Sequence, residues 1–121
     1  FYLKKGVKGF VLAATALGHV PTFSRKTLIP FIKRAASKGV PVVIASQSFY
    51  GRVHPYVYTN LRRLSIESGC TFVDDMLPEV AYIKLMIALA ECKNIAEIKS
   101  FMQSPLAGEI TEREIDDTYL A

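Results

Sequence analysis

A chain of 121 residues, half of them hydrophobic, can bury one sizeable core and is too short for two. No apolar run approaches the roughly 18 residues that cross a bilayer, and no basic, apolar, small-residue leader opens the chain, so the sequence reads as soluble and cytoplasmic. The net charge of +4 conceals a division: residues 1–66 hold eleven Lys or Arg and no acid, whereas residues 67–121 hold four basic and eleven acidic side chains, which predicts internal pairing or two oppositely charged faces.

The first six residues, Phe-Tyr-Leu-Lys-Lys-Gly, read as the last turn of a helix, with lysines at the negative end of the dipole and a glycine beyond it. One turn cannot nucleate alone, so the chain is expected to be a piece of a longer polypeptide. Residues 9–15 are apolar at successive positions and predict a strand, ending in a loop with Gly18, His19 and Pro21. Thr27 is a suitable N-cap for a helix with Pro30 in its first turn; Leu28, Phe31, Ile32 and Ala35 share one face, and Gly39 stops it.

Residues 40–45 predict a second strand, with Pro41 near its start, where a ladder bond can be spared. It stops in Ser46, Gln47 and Ser48. A strand that is apolar at consecutive rather than alternate positions has to be covered on both faces, as in a parallel sheet between helices. Residues 59–69 predict a short helix, and 70–73 a third strand ending in Asp74-Asp75.

Asp75 is placed as the cap of a helix over residues 77–92 with Pro78 in its first turn. That helix is apolar nearly all round, interrupted mainly by Glu79, Tyr82, Lys84 and Glu91, so two neighbours are expected: the sheet on one flank, and a second subunit or domain over Val80, Ile83 and Ile87. Asn94 and Glu97 form a capping-box-like pair for a last helix over 95–102, anchored by Ile98 and Phe101, and residues 103–121 read as an acidic tail. The alternation predicts a single α/β domain: a small doubly wound parallel sheet, flavodoxin-like or Rossmann-like, with helices on both faces.

In such sheets ligands bind outside the carboxyl ends of the strands. Three loops are expected there: Gly18-His19, Ser46-Gln47-Ser48 with Arg52 and His54, and Asp74-Asp75. They supply no nucleophile elbow, no glycine-rich phosphate loop and no recognised metal-ligand spacing. Cys70 and Cys92 form no CxxC and read as buried, reduced thiols. The basic residues are scattered rather than interleaved with exposed aromatics, which speaks against a direct nucleic-acid interface. The residues themselves therefore predict a binding rim without a self-sufficient catalytic set, and leave open a stand-alone small-molecule-binding or interaction module.

Gly18-His19-Val20-Pro21, Gly39-Val40-Pro41-Val42-Val43 running into Ser46-Gln47-Ser48, Tyr50-Gly51-Arg52-Val53, and Asp75-Met76-Leu77-Pro78-Glu79 leading to Lys84-Leu85 resemble the C-terminal domain of the bacterial-type asparaginase family. Gly18-His19, where free enzymes usually carry an asparagine after the glycine, and Ala107-Gly108-Glu109-Ile110-Thr111 resemble the branch formed by D subunits of archaeal glutamyl-tRNA(Gln) amidotransferases. The chain departs from the family at Ser48, where cysteine is common, and at Ala16, where a glycine or small polar residue is frequent.

The resemblance implies that an N-terminal domain supplies the threonine nucleophile and its Thr-Asp and Lys partners, releasing ammonia from glutamine or asparagine. No catalytic residue and no metal or cofactor site is then expected in this domain. Gly18, His19, Ser46, Gln47, Ser48 and Arg52 are implied to lie where the domain closes the amide pocket. The implied partners are that N-terminal domain, a second copy in a homodimer, and an E subunit that holds tRNA and uses ATP and magnesium; a free cytosolic L-asparaginase is the alternative.

Overall fold

The computed structural model describes residues 1–15, 28–47, 52–53 and 69–111. Tyr2–Lys5 form a 3-10 turn closed by Gly6, whose φ of 79° lets it end the turn as the sequence suggests. Three strands, β1 (Phe10–Ala14), β2 (Val42–Ser46) and β3 (Thr71–Phe72), lie parallel in the order β1-β2-β3. Phe10 stands opposite Val42 and Ala14 opposite Ser46, while Val43 and Ile44 face Thr71 and Phe72. All three strands therefore finish at one rim, as the sequence predicts.

Helix α1 (Ile29–Ser37) packs on one face of the sheet, through Ile32 and Ala35 against Val42, Ile44 and Phe72. Helices α2 (Pro78–Glu91) and α3 (Ile95–Gln103) cover the other face, where Val43, Ala45 and Val73 meet Ala81, Leu85, Ala88, Ile98 and Met102. Alternate residues of β2 thus enter two separate cores, which is why it is buried at every position. β1 behaves differently from its apolar sequence: Phe10, Val11 and Leu12 are half-buried and Ala13 is exposed, because β1 pairs with β2 alone among the described strands. Gly9 permits α2 to approach it closely; a Cβ there would stand 3.0 Å from Leu85 Cδ2.

The helix ends follow local chemistry. Pro30 sits in the first turn of α1, but the capping position is Leu28 without a side-chain bond; Thr27, the expected cap, lies outside the described residues. At its C-terminus Gly39 N–H donates to Ala36 O and Val40 N–H to Ala35 O, a Schellman closure made possible by φ 71° at Gly39. Asn94 caps α3 by accepting the Glu97 N–H at 2.9 Å, and Glu97 reciprocates one residue early, accepting the Lys93 N–H at 2.7 Å. The helix expected over residues 59–69 lies outside the described residues, apart from Gly69.

Two expectations are corrected. Asp75 does not cap α2: Leu77 holds that position with no side-chain bond, and the Asp75 carboxylate is engaged elsewhere. Residues 103–111 are not a free tail either, since Gln103 completes α3, Ile110 enters the core beside α2, and Glu109 is bound to α2. Residues 112–121 lie outside the description.

Candidate functional site at the sheet rim

The rim is built where the strand ladder runs out. Gln47 N–H still donates to Ala14 O at 3.0 Å, and Val73 N–H to Ile44 O at 3.2 Å. Ser46 is buried at the end of β2, whereas Gln47, the next residue, is exposed. Val53 N–H crosses to Asp74 O at 2.8 Å, bringing the segment after β2 onto the turn after β3. Asp74 makes that turn with φ 50°, a left-handed conformation that Asp tolerates better than most residues.

Arg52 and Asp75 meet at this turn. Their nearest charged atoms are 3.9 Å apart, and both bind Thr111: Asp75 Oδ1 accepts its N–H at 2.9 Å, and the Arg52 guanidinium donates to its carbonyl. Arg52 Nε is buried without a hydrogen-bond partner. Of the six residues assigned to pocket closure, the structure places Ser46, Gln47 and Arg52 at one rim; Gly18, His19 and Ser48 lie outside the described residues, as does His54.

A second polar cluster lies between α2 and the segment following α3. Lys84 and Glu109 keep only 5% and 12% of their side-chain surface exposed and pair at 2.5 Å. Lys84 also donates to Ser104 O, and Glu109 accepts the Leu106 and Ala107 N–H groups. Lys84, read from sequence as an interruption of an apolar helix, belongs to its inner face with Ala81, Leu85 and Ala88. Its spacing with those residues is the signal that could have found it; the partner 25 residues away has none.

The Lys84 hydrogen bond first, then the Ala107 and Leu106 N–H groups, hold the Glu109 carboxyl at about 2 against an ordinary 4.5. A carboxyl whose pKa is lower folded than unfolded stabilises fully above the unfolded value and loses that contribution as pH falls through the folded one. Thermal unfolding of the protein is therefore expected to show a decline between pH 4.5 and about 2 that is reduced in Glu109→Gln. An identical pH slope in the two proteins would remove this contact from the account.

The outer face of α2 carries Val80, Tyr82, Ile83, Met86 and Ile87, all exposed, so the second neighbour expected there is not supplied by the described residues. Val80, Ile83 and Ile87 line, with Leu106 and Ala107, an apolar groove of about 450 Å³. Burial pushes the Cys70 thiol up to about 12, leaving it protonated; Cys92 is half-buried, and neither cysteine forms a disulfide. No group of metal-ligating side chains occurs among the described residues, and none of their helices is long and apolar enough to cross a membrane.

Residues 1–102 match the family described as the glutaminase/asparaginase C-terminal domain. The chain is 44% identical over 120 residues to the D subunit of the glutamyl-tRNA(Gln) amidotransferase of Pyrococcus abyssi, an alignment spanning 99% of this chain and 26% of that protein. The corresponding D subunit of Thermofilum pendens is 42% identical, over 98% of this chain and 25% of that protein. The chain thus spans about a quarter of the length of these curated relatives. Among solved structures, the thermostable L-asparaginase from Thermococcus kodakarensis superposes with a TM-score of 0.82 at 32% identity, covering 93% of this chain and 33% of that one. L-asparaginase I from Vibrio cholerae superposes at 0.75 with 31% identity, covering 87% and 31%.

Proposed function

Since the chain belongs to the glutaminase/asparaginase C-terminal domain family, we propose that it is the non-nucleophile domain of the amide-hydrolysing subunit of an archaeal glutamyl-tRNA(Gln) amidotransferase. The supporting observations are the joint placement of Ser46, Gln47 and Arg52 at one sheet rim and the 44% identity to an amidotransferase D subunit of which this chain spans 26%. The chemistry then lies in an N-terminal domain of the same polypeptide. There a threonine hydroxyl attacks the side-chain amide carbon of glutamine or asparagine, the C–N bond breaks, ammonia leaves, and water releases the acid.

On this reading Ser46, Gln47 and Arg52 belong to the wall that closes over the amide substrate; Gly18, His19 and Ser48 are assigned to it by the family resemblance alone. The ammonia is passed to Glu-tRNA(Gln), which an E subunit holds and activates with ATP and magnesium, so this domain carries no cofactor of its own and meets tRNA only through that partner. The exposed apolar face of α2 is a surface for the remainder of a homodimeric cytoplasmic enzyme, and covering Val80, Ile83 and Ile87, which are 39%, 60% and 44% exposed, would add roughly half of the 1.5–3 kcal/mol of complete burial for each.

The test compares this chain with the polypeptide that includes the upstream domain. Ammonia release from glutamine or asparagine is expected only from the longer protein, and amidation of Glu-tRNA(Gln) only when the E subunit is added. Turnover by residues 1–121 alone, abolished by Ser46→Ala or Ser48→Ala, would move the chemistry into this domain and sink the proposal. The superposition on L-asparaginases favours a second reading, a free asparaginase; failure to co-purify with a tRNA-binding subunit, with ammonia release intact, would select it.

A further inference from the structure

Beyond Gln47 and Val73 the strand ladder does not continue among the described residues, so the position of the rim also depends on bonds from outside the sheet. Those bonds come from the last residue of α3 and the segment that follows it. Gln103 Nε2 donates to Phe72 O at 3.0 Å, at the last residue of β3. Eight residues later Thr111 is gripped through both backbone polar groups, its N–H by Asp75 and its carbonyl by Arg52. Between the two, Ile110 is seated in the core and Glu109 is tied to Lys84. The residues gripping Thr111 are themselves neighbours of the Val53–Asp74 bond that joins the two rim segments.

We propose that residues 103–111 are a positioning strap that fixes Arg52 and Val53 against Asp74 and Asp75, making Asp75 and Thr111 positioning residues for the amide pocket. The inference rests on the amidase reading above. Asp75 Oδ1 accepts the Thr111 N–H in a charge-assisted hydrogen bond, about twice as strong as a neutral one, and the same oxygen lies 3.9 Å from the Arg52 guanidinium, an ion pair beyond hydrogen-bond distance. Loss of this carboxylate leaves Thr111 tied to the rim through Arg52 and loosens the strap where it meets the rim.

The test uses the full-length subunit, with amide hydrogen exchange at Val53 and Thr111 measured beside KM and kcat for glutamine and asparagine. Asp75→Ala is expected to accelerate exchange at both amides about tenfold and to raise KM by a similar factor while kcat changes less than about twofold. Asp75→Asn keeps an oxygen for the Thr111 N–H and is expected to show a smaller shift in both, which also serves if the alanine variant does not fold. Ile32→Val, in the core on the opposite sheet face, is expected to lower stability without moving KM. Unchanged exchange at Val53 in Asp75→Ala, faster exchange with an unchanged KM, or an equal rise in KM from Ile32→Val would each overturn the strap. A wild-type subunit that releases no ammonia would defeat the amidase reading, and the exchange measurement would still decide whether the strap holds the rim.

Discussion

Lys84→Ala is expected to destabilise the protein by about 3 kcal/mol, at the lower edge of the roughly 3–5 kcal/mol associated with removing one partner of a buried ion pair. The substitution leaves the Glu109 carboxylate largely out of water without its cation, and leaves Ser104 O without that donor. The lower edge applies because Glu109 retains the Leu106 and Ala107 N–H groups. Chemical denaturation of Lys84→Ala, Glu109→Gln and the double variant separates the pair from its surroundings. The double variant is expected to lose less than the two single losses combined, since neither charge is then stranded. Strict additivity, or a Lys84→Ala loss below about 1 kcal/mol, would show that this lysine behaves as a surface residue.

Ile44→Ala is expected to lose about 2–5 kcal/mol, the range for truncating a fully buried aliphatic side chain. Ile44 has no exposed surface, lies in the central strand with β1 and β3 on either side, and faces the α1 core. A paired strand cannot shift to fill the space without disturbing its ladders, so little relaxation is available to reduce the loss. Ile83→Ala is the matched contrast: at 60% exposure it is expected to change the stability of this chain by less than about 0.5 kcal/mol. Equal losses at the two positions in a denaturation experiment would mean that the outer face of α2 is already buried by something in solution.

Much of the architecture is legible in the sequence because it follows from local rules. The consecutive apolar residues of 42–45 call for cover on both sides, and β2 is buried throughout between α1 and the α2–α3 layer. Gly39 ends α1 and Asn94 begins α3 because left-handed closure and side-chain capping involve only a few neighbouring residues. β1 departs from its pattern: its apolar sequence matches that of β2, but burial at a sheet edge depends on what lies beside the strand.

Strand–helix alternation, the common direction of the strands, and hence the rim that carries Ser46, Gln47 and Arg52 were already written in the order of residues. Folding in three dimensions was needed to assign Asp75 to Thr111 instead of a helix end, to turn Lys84 inward to Glu109, and to bind residues 103–111 as a strap. The reason is physical. A cap or a buried stripe is set by positions three or four apart, which periodicity exposes. A carboxylate's choice between a nearby helix end and a backbone amide 36 residues away depends on which groups the folded chain brings within hydrogen-bonding distance and removes from water.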